Sequence, residues 1–131
     1  MQHDLTERSL PIDHLFSGKP GDAVALRFKD GDISYQEAER RIGRIAAILR
    51  SAGLVHGDRV ATWLGKGWLA SLMPLAAVRA GCIHVPVNPV LKRTQVAHIL
   101  ADSGAVLLIS NRGRHDAFQP GDVPAACAWR D

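Results

Sequence analysis

Aromatic residues are scarce in this chain. Phe, Trp and Tyr together make up 5% of its 131 residues, whereas hydrophobic residues as a whole make up 47%. The core must therefore consist mainly of Ala, Val, Leu and Ile, which suits buried parallel strands covered by helices better than a β-sandwich. The length allows one domain with a modest core.

Cysteines are scarcer still, and long apolar runs are missing. Cys82 and Cys127 are the only two cysteines, and they form neither a CxxC spacing nor a disulfide framework. The longest apolar run, residues 68–78, is too short to span a bilayer and contains a proline. Residues 1–8 are polar and lack the apolar core of a signal peptide. We expect a cytoplasmic protein without a membrane span.

Patterns typical of metal and nucleic-acid binding are also missing. The six histidines, at positions 3, 14, 56, 84, 98 and 115, show no spacing typical of metal ligands. The net charge is +3. The basic residues cluster only on one predicted helix and in one loop, without interleaved aromatic residues that would stack on bases. We expect no metal site and no nucleic-acid partner.

Turn signals organise the N-terminal part of the chain. Residues 1–22 have no clear periodicity, so we predict an arm there, with a short helix near Ile12–Phe16. Two short strands, residues 23–28 and 32–35, flank the sequence Lys-Asp-Gly. The Asp-Gly pair supplies the positive φ that a tight hairpin turn needs, so a hairpin is predicted here.

A capping signal follows the hairpin directly. Ser34 and Glu37 have the S-x-x-E spacing of a capping box, which predicts that a helix begins at this point. Gly53 is the expected residue just beyond its C-terminus. The residues that recur at helical spacing and predict a buried face are Ala38, Ile42, Ile45, Ala46 and Leu49.

The rest of the chain alternates between strands and helices. The predicted elements are, in order, strand 60–64, helix 68–80, strand 83–87, helix 93–103, strand 105–110 and strand 125–129. This order is typical of a parallel sheet with right-handed crossovers. Residues 23–131 are therefore predicted to form an α/β fold of three layers. A mainly parallel sheet lies between flanking helices and is preceded by the short hairpin.

Several short motifs resemble those of the adenylate-forming superfamily. Residues 33–38 read I-S-Y-Q-E-A, similar to the family's (L/I)-(T/S)-Y-x-E-L motif. Residues 75–88 resemble its L-x-A-x-x-A-G-x-x-x-V-P-(L/V)-(N/D) motif, and residues 57–61 read G-D-R-V-A. The resemblance covers residues 20–110, and the order and spacing of the motifs give it its weight. Residues 85–100 are most similar to acyl-CoA ligases, including the bacterial subgroup linked to exosortase loci.

The resemblance implies part of an enzyme. The chain would be the N-terminal subdomain, in truncated form, of an AMP-forming acyl-CoA synthetase, which uses ATP, CoA and Mg²⁺. The family's phosphate loop, its ribose-binding Asp and its C-terminal lysine have no counterpart here. We therefore expect this chain to be catalytically incompetent alone, to hold no catalytic residue or cofactor, and to have the remainder of the synthetase as its partner. Exposed apolar surface should also make it self-associate, as a dimer.

Two other functional classes stay open at this point. One is a non-catalytic scaffold or interaction module derived from this fold. The other is a piece of a peptide-synthetase adenylation domain, which would pass its product to a carrier protein. Whether the reading frame continues beyond Asp131 would separate the first of these from a synthetase.

Only one pair of residues is a candidate ligand site. Arg112 and Arg114 follow a predicted strand, and ligands bind at the carboxyl ends of parallel strands. Because some CoA ligases place arginines near this point, the resemblance implies a contact with the CoA phosphates. A solvated basic loop is the alternative. Gly65-Lys66-Gly67 lies where a phosphate loop would, but it lacks the full motif, so we interpret it as an ordinary turn. Lys92-Arg93 replaces the family's usual Thr-Pro or Ser-Pro, which removes an expected helix cap.

Overall fold

The fold was analysed in a computed structural model that describes residues 9–131. A short 3₁₀-helix, Ile12–His14, precedes an antiparallel hairpin of β1 (Val24–Phe28) and β2 (Gly31–Ser34). Both features agree with the sequence-based prediction. Residues 1–8 of the predicted arm lie outside the described residues.

Helix α1, Tyr35–Ser51, begins where the capping signal placed it. The hydroxyl of Ser34 accepts a hydrogen bond from the backbone N–H of Glu37 at 3.1 Å. Only this half of the predicted capping box forms, because the Glu37 carboxylate instead accepts bonds from Arg40 and Arg41. The predicted apolar face is buried as expected. Gly53 follows the helix with a φ of +90°, a conformation that favours glycine.

The main sheet has four parallel strands. They are β3 (Arg59–Trp63), β4 (Ile83–Pro86), β5 (Leu107–Ser110) and β6 (Ala128–Arg130). Their spatial order is β4-β3-β5-β6. Strand β4 thus lies on one side of β3, and β5 and β6 lie on the other side. The predicted parallel sheet is confirmed, and β4, β5 and β6 are shorter than the predicted strands 83–87, 105–110 and 125–129.

Helices cover both faces of this sheet. Helix α2 (Trp68–Arg79) packs with α1 against Val60, Leu107 and Ile109. Helix α3 (Arg93–Ser103) packs on the opposite face against residues that alternate with the first set along the strands, Ala61, Trp63 and Leu108. Alternate burial on two faces is the pattern of a central parallel strand. The three-layer α/β architecture predicted from the sequence is therefore present.

Two helices form although their local sequence is unfavourable. Helix α2 continues through Pro74, which lies inside it. Helix α3 starts after Lys92, whose backbone N–H donates to the Gln95 side chain at 2.9 Å. Gln95 thereby forms one half of a capping box, while the half that a Thr or Ser hydroxyl would form cannot come from the Lys92 ammonium, which has no acceptor. Within residues 9–131, no helix combines the length and the apolar character that a membrane crossing requires.

Candidate functional site

The carboxyl ends of the parallel strands meet along one edge of the sheet, where ligands of open α/β folds bind. The loop after β3 leads to α2 on one face. The loops after β4 and β5 lead towards the other face. Neighbouring loops therefore diverge beside β3, and the space between them is the natural place for a ligand.

Arg112 and Arg114 both lie at this edge, on a short helix α4 (Arg112–Asp116). The Asn111 side chain caps this helix by accepting a bond from the Arg114 N–H at 2.9 Å. Arg112 is exposed, and its guanidinium carbon lies 5.6 Å from the centre of the Trp129 ring. The same short helix thus presents both predicted site residues at the sheet edge.

Arg114 is more constrained than Arg112. It is half-buried, and its guanidinium carbon lies 5.3 Å from the centre of the Trp63 ring. Its Nη2 donates to the carbonyl of Pro89 over a long 3.5 Å. Its Nη1 and the indole Nε1 of Trp63 are both buried, and neither has a hydrogen-bond acceptor among the described residues. Two donors of one stacked pair thus lack partners, which is unusual for buried polar groups.

Aromatic side chains complete this cluster, and sequence reasoning did not identify them as part of the site. The His115 ring stacks on Trp129 with ring centres 3.9 Å apart. The Trp129 Nε1 donates to the Ser110 hydroxyl at 2.9 Å, which fixes the indole at the end of β5. The position of two tryptophans at the ends of apolar strands was the only sequence signal for this arrangement. Which strands lie side by side depends on the strand order in the sheet, which these local patterns do not show.

A cavity of about 600 Å³ lies next to this cluster, between the ends of β3 and β4. Its polar lining includes Thr62 and His84, which share a 2.7 Å hydrogen bond between the Thr62 hydroxyl and the His84 Nε2. Burial lowers the pKa of His84, which favours the neutral imidazole. Its remaining lining is mainly apolar: Leu64, Ala70, Pro74, Pro86, Val87 and Val90.

The other sequence-based candidates do not add to this site. Gly65-Lys66-Gly67 forms the connection between β3 and α2, and Lys66 is exposed at the rim of the cavity. No group of three or more His, Cys, Asp or Glu side chains in residues 9–131 could hold a metal ion. We therefore assign the described residues no step that involves Mg²⁺.

The chain matches the family described as AMP-binding enzyme over residues 13–128. It is 44% identical over 88 residues to a feruloyl-CoA synthase of an Amycolatopsis species, covering 66% of this chain and 18% of that protein. It is 33% identical over 128 residues to the malpibaldin synthetase of Mortierella alpina, covering 87% of this chain and 2% of that protein. The chain thus spans a small part of the curated relatives that it matches.

Solved structures show the same architecture. ATP-bound MatB from Rhodopseudomonas palustris superimposes with a TM-score of 0.80 at 26% identity, covering 90% of this chain and 24% of that one. The N-terminal subdomain of Klebsiella oxytoca NpsA, in complex with anthranilyl-AMSN, gives a TM-score of 0.76 at 28% identity, covering 92% of this chain and 30% of that one. The described fold is that of the N-terminal subdomain of adenylate-forming enzymes.

Proposed function

This chain belongs to the AMP-binding enzyme family, and from that premise we propose that it supplies the N-terminal α/β subdomain of an AMP-forming acyl-CoA synthetase. In such an enzyme an acyl carboxylate attacks the α-phosphate of ATP and displaces pyrophosphate. The CoA thiol then attacks the acyl carbonyl and displaces AMP. A cytoplasmic location is consistent with ATP and CoA as substrates.

The observation that carries this proposal is the position of Arg112 and Arg114 on α4, at the sheet edge where parallel folds bind ligands. Arg114 stacks on Trp63, and each of these two side chains has a buried N–H donor without an acceptor among residues 9–131. The exposed guanidinium of Arg112 lies on the same short helix. Phosphate oxygens are among the acceptors that arginine binds well, because its planar fork offers two donors at once. A phosphorylated ligand at this edge would bind the exposed guanidinium of Arg112, with Arg114 beside it on the same helix.

CoA accounts for this cluster better than ATP does. The cluster contains two arginines and two tryptophans but no carboxylate set that could hold the Mg²⁺ that accompanies ATP. The phosphates of CoA need no resident metal, and an adenine ring can stack on an indole or a guanidinium. The 44% identity to a feruloyl-CoA synthase supports a CoA-dependent enzyme. We assign adenylation to the remainder of the synthetase.

We also propose that the remainder of the synthetase packs against an apolar groove of this chain. A groove between α1, α2 and β5 is lined mainly by apolar side chains: Ile45, Ile48, Leu49, Leu69, Met73, Leu107 and Ile109. Ile48 is 46% exposed and the adjoining Trp68 is 39% exposed. Contiguous apolar surface of this kind is typical of a contact face.

A peptide-synthetase adenylation domain is the second candidate. The chain is 36% identical over 100 residues to the phosphinothricin tripeptide synthetase PhsB of Streptomyces viridochromogenes. In that case the acyl group would pass to a carrier protein, and Arg112 and Arg114 would have no CoA to bind. A non-catalytic module derived from the same fold would likewise leave them without this role.

A kinetic comparison tests the proposal in the protein that unites this chain with the rest of the synthetase. The double variant Arg112→Ala, Arg114→Ala should raise the KM for CoA and leave pyrophosphate release in the adenylation half-reaction unchanged. Arg44→Ala is the matched control, because Arg44 is exposed on α1, away from the sheet edge. An unchanged KM for CoA would exclude the assigned role.

A further inference from the structure

We propose that the hairpin cleft, an open depression between the tip of the β1–β2 hairpin and the first turns of α1 and α2, receives an acidic segment of a partner protein. The cleft has a volume of about 790 Å³. Two carboxylates, of Asp30 and Asp32, belong to its lining, and basic side chains outnumber them: Arg27, Lys29, Arg41 and Lys66. The proposal does not depend on the use of CoA, because none of these residues belongs to the cluster around Arg114.

A stack of Arg41 on Trp68 forms one wall of the hairpin cleft. The guanidinium carbon of Arg41 lies 4.5 Å from the centre of the indole ring, and its Nε donates to the Glu37 carboxylate at 2.8 Å. Trp68 is nevertheless 39% exposed. No aromatic residue is interleaved with the arginines of α1 in the sequence, and the fold supplies Trp68 from α2. Tryptophan and arginine are enriched where protein interfaces bind most tightly.

The other basic groups of the cleft are available for carboxylates from outside the chain. Lys29 and Lys66 are exposed, and neither forms an ion pair within residues 9–131. The side chain of Arg27 is 78% exposed and lies 4.0 Å from the Asp32 carboxylate, at the limit of an ion pair. Ammonium and guanidinium groups form charge-assisted hydrogen bonds with carboxylates. An acidic segment would therefore be complementary in charge to the cleft.

The arrangement of the lining is that of a protein interface rather than of a small-molecule site. Small-molecule sites orient their ligands with a few precisely placed polar groups in an apolar cavity. Here the basic groups lie on long, mostly exposed side chains, and they surround an apolar part formed by Phe28, Ile33 and Trp68. An apolar centre within a polar rim is typical of interfaces. An aromatic side chain of the partner would fill the centre, and flanking carboxylates would reach the rim.

Two features favour an acidic peptide over a nucleic acid or an anionic membrane. The carboxylates of Asp30 and Asp32 interrupt the basic lining and would repel the closely spaced phosphates of a nucleic acid, whereas a peptide can place an uncharged residue opposite them. The aromatic and apolar side chains lie in a depression, whereas a helix that binds a membrane surface presents a protruding apolar face to the lipid.

NMR titration of the 131-residue chain with synthetic peptides tests this proposal. The first probe is an acetylated, amidated peptide of one phenylalanine between two pairs of glutamates, and the second has serine in place of the phenylalanine. The first peptide should shift the amide resonances of residues 27–33 and 66–68 and the indole N–H resonance of Trp68. The second should bind about tenfold more weakly, because it buries no aromatic ring.

Charge reversal tests the basic rim. Lys66→Glu should weaken binding of the first peptide by about tenfold, because an attraction becomes a repulsion. Lys19→Glu is the matched control, since Lys19 is exposed outside the cleft and the net charge changes equally. Lys29→Glu repeats the test on the hairpin in case Lys66→Glu disturbs the turn before α2.

Four results would overturn the proposal. Peptide shifts that are absent from the hairpin cleft would refute the site, and equal losses in Lys66→Glu and Lys19→Glu would refute the role of its basic rim. Equal affinity for the two peptides would refute the apolar centre. Tighter binding of a dodecameric oligouridylate or of phosphatidylglycerol vesicles at the same residues would show that the partner belongs to that class instead.

Discussion

The guanidinium of Arg79 holds Asp13 at two points. Its Nε donates to the Asp13 carboxylate at 3.2 Å, and its Nη2 donates to the Asp13 backbone carbonyl at 2.8 Å. The same guanidinium donates to both carboxylate oxygens of Glu39, at 2.9 and 3.1 Å. One side chain at the end of α2 therefore joins the N-terminal 3₁₀-helix to α1.

Removal of this arginine should destabilise the fold. Asp13 is only 7% exposed, so Arg79→Ala leaves a buried carboxylate without its cation. We expect a loss of about 2–3 kcal/mol in the free energy of unfolding, measured by urea denaturation. Arg40→Ala is the control, because Arg40 is largely exposed and the loss of its ion pair with Glu37 should cost much less. Equal losses in the two variants would contradict this account.

The Ser34 cap should contribute measurably to the stability of α1. Ser34→Ala removes the acceptor of the Glu37 N–H, and we expect a cost of about 1 kcal/mol in thermal unfolding followed by circular dichroism. Ser34→Asp keeps a side-chain acceptor at the same position and should stay close to the unsubstituted protein. If both variants lose the same stability, the hydroxyl contributes through something other than the cap.

Burial of His84 should make stability depend on pH. Because its pKa is lowered in the fold, the unfolded chain binds more protons than the folded one between that lowered value and about 6.5. The free energy of unfolding should therefore fall as the pH drops below about 6.5, and His84→Gln should flatten this decline. The exposed His98, changed to Gln, is the control and should leave the slope unaltered. A slope insensitive to His84→Gln would count against the burial effect.

Local signals account for what the sequence predicted well. The Ser34 cap, the apolar face of α1 and the alternation of strands and helices each depend on residues a few positions apart. The cap of α3 is local too, and Gln95 three residues after Lys92 could have indicated it. The capping-box motif was wrong about the Glu37 carboxylate. The motif predicts that this carboxylate binds the backbone N–H of Ser34, but it accepts hydrogen bonds from Arg40 and Arg41 instead.

Long-range pairs account for what could not be predicted. The Thr62–His84 bond requires β4 to lie beside β3, and the Arg114–Trp63 stack requires β5 on the other side of β3. Strand order is a property of the whole sheet, and it leaves no pattern in the sequence around either residue of such a pair. Sequence reasoning consequently placed Arg112 and Arg114 after the strand that they follow in the structure, but it did not identify the side chains around them.

The exposed apolar groove predicts that the 131-residue chain self-associates. Ile48 and Trp68 expose much of their apolar surface, and burial against a second copy would remove that surface from water. We expect light scattering to show a mass that rises towards a dimer with increasing concentration. Ile48→Lys should shift the protein towards monomer, because it places a charge within the apolar face.

Val55→Lys is the matched control for this experiment. Val55 is 65% exposed in the turn that follows α1 and does not line the groove, so the same change in charge there should leave the association unaltered. If both variants dissociate equally, net charge rather than the groove governs assembly. A monomeric mass at every concentration would refute self-association. The groove would then be apolar surface that only the remainder of the proposed synthetase covers.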